Sequence, residues 1–493
     1  MNVLFVYPEF PDTYWSFRHA LSFEGKRSAF PPLGLLTVSA MLPADWNRRL
    51  VDMNVEKLSL RDIEWADIVF CSAMLVQRDS LQRVVALTKA RGKRVAIGGP
   101  YISTTAENLP GADHIFVGEA EETLPEFVRD LQHGKARHVY NATERPALSA
   151  TPLPHFKLAS LKHYSSMSVQ YSRGCPFQCE FCDIIEIYGR VPRTKSNPQM
   201  LNELEALHQT GWRGPLFIVD DNFIGNKRNV KNFLPELADW SERKGRPFSF
   251  FTEASVNLAE DDELLEMMRR AGFYRVFLGI ETPVKESLKE AQKSQNTRGD
   301  LLQSVRKVQS YGMEVMAGFI IGFDNDPEDI FERQINFIRE SAIPLAMVGL
   351  LTALPQTQLW RRLQREGRLL TESTGNNTDC SLNFIPRMDP RRLIEGYKLL
   401  LQTIYSPGEY YQRALECLKR LPAATEPQWR HPIRDLTSLV RVILTLGVRD
   451  RERSEFWRYI GHVAAFNRDT FARAVTLAAM GYHFRKLTED YCR

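Results

Sequence analysis

The sequence predicts an α/β protein in three parts: a Rossmann-like, doubly wound parallel sheet, a partial (β/α)6 barrel, and an α-helical C-terminal region. Three observations carry this. Short apolar, β-rich runs alternate with helical patterns over residues 1–133, a second alternation with six repeats fills 166–370, and the strand signal ends near residue 370.

In the first series the expected strands are Asn2–Tyr7, Arg49–Met53, Asp67–Ser72, Arg94–Ile97 and His114–Val117, with helical patterns at Leu33–Leu42, Leu81–Ala90 and Glu122–Leu131 between them. In such sheets the loops at the carboxyl ends of the strands form the ligand site. Here those loops contain Tyr7-Pro8-Glu9, Cys71-Ser72-Ala73-Met74, Gly98-Gly99-Pro100 and Gly118-Glu119-Ala120. Paired glycines after a strand let backbone approach a large flat ligand, and they also make an ordinary tight turn. Residues 134–165, with Pro146, Pro152 and Pro154 and little periodicity, read as a linker.

The second series predicts strands Met167–Tyr171, Leu216–Val219, Ser249–Thr252, Arg275–Ile280, Val315–Ile321 and Ala346–Leu351. Helical stretches such as Met200–Thr210, Asp261–Ala271 and Leu301–Tyr311 separate them. Six repeats suggest an open barrel with its chemistry at the carboxyl ends of the strands. Residues 371–493 read as helical, at Pro390–Ile404, Tyr410–Arg420 and Thr470–Lys486.

Composition narrows the function. A chain of 493 residues, 43% apolar, with 64 Lys plus Arg against 60 Asp plus Glu, is neither disordered nor fibrous. Its balanced charge argues against a nucleic-acid partner. Residues 381–493 hold 19 basic and 12 acidic residues, an excess of seven that suits an anionic membrane surface as well as a solvated helical face. Met1–Pro8 lacks the pattern of a secretory signal, and the most apolar window, Ala342–Pro355, is too short and proline-broken to span a bilayer. The expected location is the cytoplasm, with peripheral contact at the inner face of the membrane left open.

Three of the seven cysteines crowd into Cys175-Pro-Phe-Gln-Cys179-Glu-Phe-Cys182, directly after the first barrel strand. Three thiolates do not close a tetrahedral zinc site, and no fourth His or Cys stands at short spacing. They do suit an iron–sulfur cluster with one iron left open for a small molecule. Inert buried thiols are the bland alternative.

This Cys-x-x-x-Cys-x-aromatic-Cys pattern resembles the signature of the radical S-adenosylmethionine (AdoMet) enzymes. The resemblance extends along the barrel through Asp220-Asp221-Asn222, Thr252-Glu253-Ala254-Ser255, Gly279-Ile280-Glu281-Thr282 and Ala317-Gly318-Phe319. The first domain, with Phe30-Pro31-Pro32-Leu33-Gly34-Leu35 and Gly98-Gly99-Pro100, resembles the cobalamin-binding domain of one branch of that family. The tail, through Asn376-Asn377-Thr378-Asp379-Cys380, is similar to a domain of undefined role in a subgroup that includes hopanoid methylases.

The resemblance implies that Cys175, Cys179 and Cys182 hold a 4Fe-4S cluster whose open iron chelates AdoMet, the source of a 5′-deoxyadenosyl radical. It implies Phe181 against the adenine, and Glu253, Ser255, Glu281 and the carboxylates Asp220 and Asp221 toward the ribose or the methionine end. Ser72, Gly98, Gly99, Gly118 and Glu119 would meet cobalamin. The Asp-x-His-x-x-Gly of histidine-ligated cobalamin proteins is missing after the first strand, and His19 is not expected on the cobalt. The implied partners are a small, apolar substrate and an electron donor such as flavodoxin or ferredoxin. The implied reaction is methylation of an unactivated carbon. The same cofactors could serve a radical cyclisation, rearrangement or oxidation instead, for instance of a tetrapyrrole, and a non-catalytic cobalamin or redox sensor is the third reading. The helical tail is expected to cover the mouth of the barrel.

Overall fold

The computed structural model describes residues 1–105, 110–376, 379–422 and 432–492, without the side chains of 432–434; Asn377 and Thr378 of the tail motif lie outside the described residues. The first sheet has six parallel strands: β1 (Asn2–Tyr7), β2 (Asn47–Asp52), β3 (Ile68–Ser72), β4 (Arg94–Gly98), β5 (His114–Val117) and β6 (Val139–Asn141), in the order β2-β1-β3-β4-β5-β6. Both faces are covered, so the central strands β1 and β3 are nearly all apolar: Leu4, Val6 and Val69 pack on one side, Val3, Phe5 and Phe70 on the other.

The segment expected as a linker, 134–165, is a correction. Its residues Val139–Asn141 form β6 and pair with β5 at the sheet edge. Tyr140 is buried against Phe116, with ring centroids 5.5 Å apart. Three residues between polar neighbours carry too little alternation to read as a strand.

The second sheet takes its strands in chain order: β7 (Met167–Val169), then β10 (Gly214–Ile218), β11 (Phe248–Ala254), β12 (Phe273–Glu281), β13 (Glu314–Ile321) and β14 (Leu345–Leu350), all parallel. Between β7 and β10 a two-stranded ribbon, β8 (Ser172–Arg173) with β9 (Arg193–Thr194), brackets the cysteine loop. This is the open six-stranded barrel that the repeats predict.

An open barrel leaves the outer edge of β14 with carbonyls that need donors. Hydroxyls and a guanidinium supply them. Tyr14 Oη donates to Val348 O (3.1 Å), Tyr397 Oη to the same oxygen (3.0 Å), Tyr405 Oη to Ala346 O (2.6 Å) and Arg413 Nε to Ile343 O (2.8 Å). Tail helices Pro390–Ile404, Pro407–Arg420 and Phe471–Tyr491, with Arg18–Glu24 of the first domain, therefore close the open side of the barrel. The expectation that these helices cover the carboxyl mouth is corrected: the unpaired strand edge is what holds them. At the mouth the tail contributes the segment before Pro390, where Gly375 packs against Leu75 and Val76 of the first domain.

Candidate active site

The cysteine loop starts at the carboxyl end of β7 and is clasped by Asp220, two residues beyond the end of the neighbouring strand β10. Its two oxygens accept from the backbone N–H groups of Tyr171 (2.7 Å) and Ser172 (2.8 Å) and from Ser172 Oγ (2.6 Å). Burial pushes Asp220 up to about 6, against those hydrogen bonds, which favour its charge. Gly174 then turns the chain at φ 94°; a Cβ there would sit 2.8 Å from Gly189 O. The far side of the loop is latched by Glu180, which is paired with Arg362 of helix Gln358–Arg365.

The sulfurs have polar company that the sequence reading missed. Asn222 Nδ2 lies 3.6 Å from Cys175 Sγ, and Gln295 Nε2 lies 3.7 Å from Cys179 Sγ. Asn222 Oδ1 also accepts from Ser255 N (3.2 Å), which joins the cysteine loop to the end of β11. Burial pushes the thiols of Cys175 and Cys182 up, and Asp183 adds to the effect on Cys182. Among the described residues no three metal-ligating side chains converge on a single ion, yet the three thiols are close enough to perturb one another. A cluster, which gives each thiolate its own iron, fits this arrangement; a lone zinc ion does not.

Beside the loop stand carboxyls without a cation. Asp221 Oδ2 is buried and unpartnered. Burial first, then Asp220 and Asp183, push Asp221 up to about 7, and burial and Asp221 push Glu253 up to about 8. Carboxyls in this state suit a ligand that brings ammonium, sulfonium and hydroxyl groups, as AdoMet does. Asp220 and Ser255 are already engaged, the first by the loop and the second by Asn222 and by Asn257, whose Oδ1 lies 2.6 Å from Ser255 Oγ.

Glu281 closes the opposite side. It sits at φ 65° where the β12–β13 register shifts, and it is buried in an ion pair with Lys293. Gly279 makes room, since a Cβ there would meet Lys293 Nζ at 2.6 Å. Burial works against the ammonium, but Glu281 first, with Cys179 and Cys182 beside it, outweighs it and holds Lys293 above its ordinary range. Its Nζ lies 5.8 Å from the ring centre of Phe181. Lys293 and Gln295 belong to a run, Gln292–Asn296, with no apolar residue. That run reads as surface, and only its place after a site strand could have marked it.

In the first domain, Ser72, Gly98, Gly99 and Gly118 end β3, β4 and β5 as expected, but the glycines have local reasons. Gly99 (φ 99°) would put a Cβ 2.5 Å from Ser72 Oγ and 3.0 Å from Ala73 N, and Gly118 would put one 2.6 Å from Ala142 Cβ. Glu119 is corrected more sharply: its carboxylate is taken by Arg173 (2.6 Å) and Arg193 (2.6 Å) of the ribbon, while Glu121 binds Arg173 (2.9 Å). These ion pairs tie the carboxyl edge of the first sheet to the two strands that bracket the cysteine loop. The two edges thus converge, so a cofactor held by the first domain would face the cysteine loop. No histidine lies between Pro8 and Thr13, and the His19 ring packs 5.6 Å from His483 of the tail. Cys71 is buried in the first core, its thiol pushed up to about 12 by burial.

Comparison with known proteins agrees with this geometry. Family models match a B12 binding domain at residues 27–128, the radical SAM superfamily at 169–338 and a domain of unknown function (DUF4070) at 357–493. An uncharacterized methyltransferase of Synechocystis is 44% identical over 99% of this chain and 92% of its own length. The chain belongs to the cobalamin-binding radical AdoMet family. A further member, the hopanoid C-2 methylase of Rhodopseudomonas palustris, is 36% identical over 93% of this chain and 88% of that protein. The fold is shared with the cobalamin-dependent radical enzyme OxsB, at TM-score 0.65 and 16% identity over 99% of this chain and 80% of that one. With methyltransferase relatives along nearly its whole length, it is a cobalamin-dependent radical AdoMet C-methyltransferase, with a 4Fe-4S cluster, AdoMet and cobalamin as cofactors.

Proposed function

We propose that the protein methylates an unactivated carbon of an apolar, hopanoid-like lipid. The observation that carries this is a cavity of about 1170 Å³, above the usual range for small-molecule sites, walled by Trp15, Phe30, Phe251, Tyr274 and Met316 inside the barrel. The likeness to a hopanoid C-2 methylase along nearly the whole chain supports it.

In this reading Cys175, Cys179 and Cys182 hold the cluster, with Asn222 and Gln295 donating toward two of the sulfurs. Asp221 and Glu253 receive the amine and the ribose of AdoMet, and Phe181 flanks the adenine. Ser255 positions Asn222, and Asp220 positions the loop. Lys293, neutralised by Glu281, places a cation beside the thiolates. Ser72 and the turns at Gly98–Gly99 and Gly118 line the corrin side, and Glu119 holds the two sheets in register. When bound, the cofactors supply hydrogen abstraction and a transferable methyl group. The protein orients the three partners and keeps water out, which the aromatic wall does. A low-potential donor such as flavodoxin or ferredoxin supplies electrons, and the protein meets its substrate at a membrane surface.

Lipid profiles of cells with and without the gene test the proposal. The expected result is loss of a polycyclic lipid heavier by one methylene than its parent. Unchanged lipids with a changed tetrapyrrole pool would overturn it.

A further inference from the structure

The large cavity does not open where the cofactors meet. Its lining includes Gly214, Phe248, Phe273 and Glu314, which begin β10, β11, β12 and β13, so its mouth lies at the amino-terminal face of the barrel. Its deep end reaches Phe251, two residues before Glu253 and on the same face of β11, roughly 7 Å short of it along the strand. Near the mouth the lining turns polar: Arg275 is ion-paired with Glu314 (2.8 Å), and Arg473 Nη1 is buried without a partner. An amphiphile would enter apolar end first.

One wall of the mouth is the helix Pro432–Val442, which runs on as a π-helical segment Ile443–Arg449. Ser438, Leu439 and Val442 face the cavity. The other face shows Leu436, Val440, Leu444 and Val448, respectively 57, 46, 46 and 56% exposed and spaced four apart. Four-residue spacing keeps them in one stripe. Trp457, 46% exposed, is anchored on the same segment by its indole N–H, which donates to Gly447 O (2.8 Å). Exposed Arg449, Arg451 and Arg453 follow with exposed Glu452 among them, and Asp450 is paired with Arg485, which leaves the exposed run with an excess of positive charge.

We propose that this stripe docks the protein on an anionic bilayer and that the lipid passes from the membrane, past the helix, into the amino-terminal end of the barrel. An apolar stripe flanked by arginines, with a tryptophan at its border, has the chemistry of an interfacial helix. The opposite face of the same helix already lines the cavity, so docking and entry are continuous. The proposal rests on the lipid-methylation reading for its cargo but not for the docking itself.

Flotation of the full-length, cluster-loaded protein with vesicles separates the two. Vesicles of phosphatidylcholine with a minority of phosphatidylglycerol should carry the wild type. The variant Leu436→Glu/Val440→Glu should bind about tenfold more weakly or worse, and Arg451→Glu/Arg453→Glu should lose binding at low salt in particular. Both should still methylate detergent-dispersed lipid. Undiminished flotation of the first variant would overturn the proposal. So would a wild-type dimer in solution that this variant converts to monomer, because the stripe would then be a subunit interface. A wild type that floats yet methylates no lipid would leave the docking standing and remove the substrate reading.

Discussion

At neutral pH a carboxyl pushed up to about 8 is mostly protonated, and Glu253 is in that state before a cationic ligand arrives. The folded chain then holds a proton that the unfolded chain releases near the ordinary glutamate value, so stability falls as pH rises between about 4.5 and about 8. In AdoMet-free protein, Glu253→Gln should flatten this decline, read as unfolding temperature against pH; an unchanged slope would mean that the proton resides elsewhere. Lys293 poses the opposite case. Removing it strands Glu281 as a buried, unpaired charge, a loss of about 3 kcal/mol or more. Lys293→Met should therefore be strongly destabilised in denaturant melts, and adding Glu281→Gln should recover most of the loss. Additive losses would show that the two do not act as a pair.

At the scale of elements, the long strands were legible because burial on both faces makes them continuous apolar runs, and the cysteine loop because its spacing has few other uses. Three things were not. The edge strand β6 is too short to show a period. Lys293 and Gln295 sit in a wholly polar run whose meaning comes from the thiols folded beside it. Glu119 and its arginines are more than fifty residues apart, so their pairing exists only once the sheets meet. Gly99 shows how a correct position can carry a different reason. Its positive φ and the 2.5 Å approach of a Cβ to Ser72 Oγ make the turn itself intolerant. Gly99→Val should lower the unfolding temperature of cobalamin-free protein, with about 1–3 kcal/mol from backbone strain alone. Normal stability combined with lost cobalamin binding would return the glycine to a ligand-contact role.

At the scale of the molecule, the tail is structural before it is anything else. Its Leu400, Leu401, Ile404, Leu418, Phe456, Val463, Leu477 and Phe484 share one core with the barrel residues Val315, Ala346 and Val348. Tyr397, Tyr405 and Arg413 satisfy carbonyls on and beside β14. Removing the tail's apolar side chains would bare the barrel face they cover, at about 1.5–3 kcal/mol for each large apolar side chain exposed, against a whole stability of about 5–15 kcal/mol for a typical domain. Bare carbonyls along β14 would add an edge open to aggregation. Deleting residues 381–493 should thus yield insoluble protein, rather than a folded enzyme that cleaves AdoMet without coupling it to product. The two outcomes separate cleanly by expression and size-exclusion chromatography of the truncated chain. A soluble, monomeric truncation that still binds a cluster would mean that the six strands close without the tail, and that the hydroxyls on β14 contribute far less than their geometry implies.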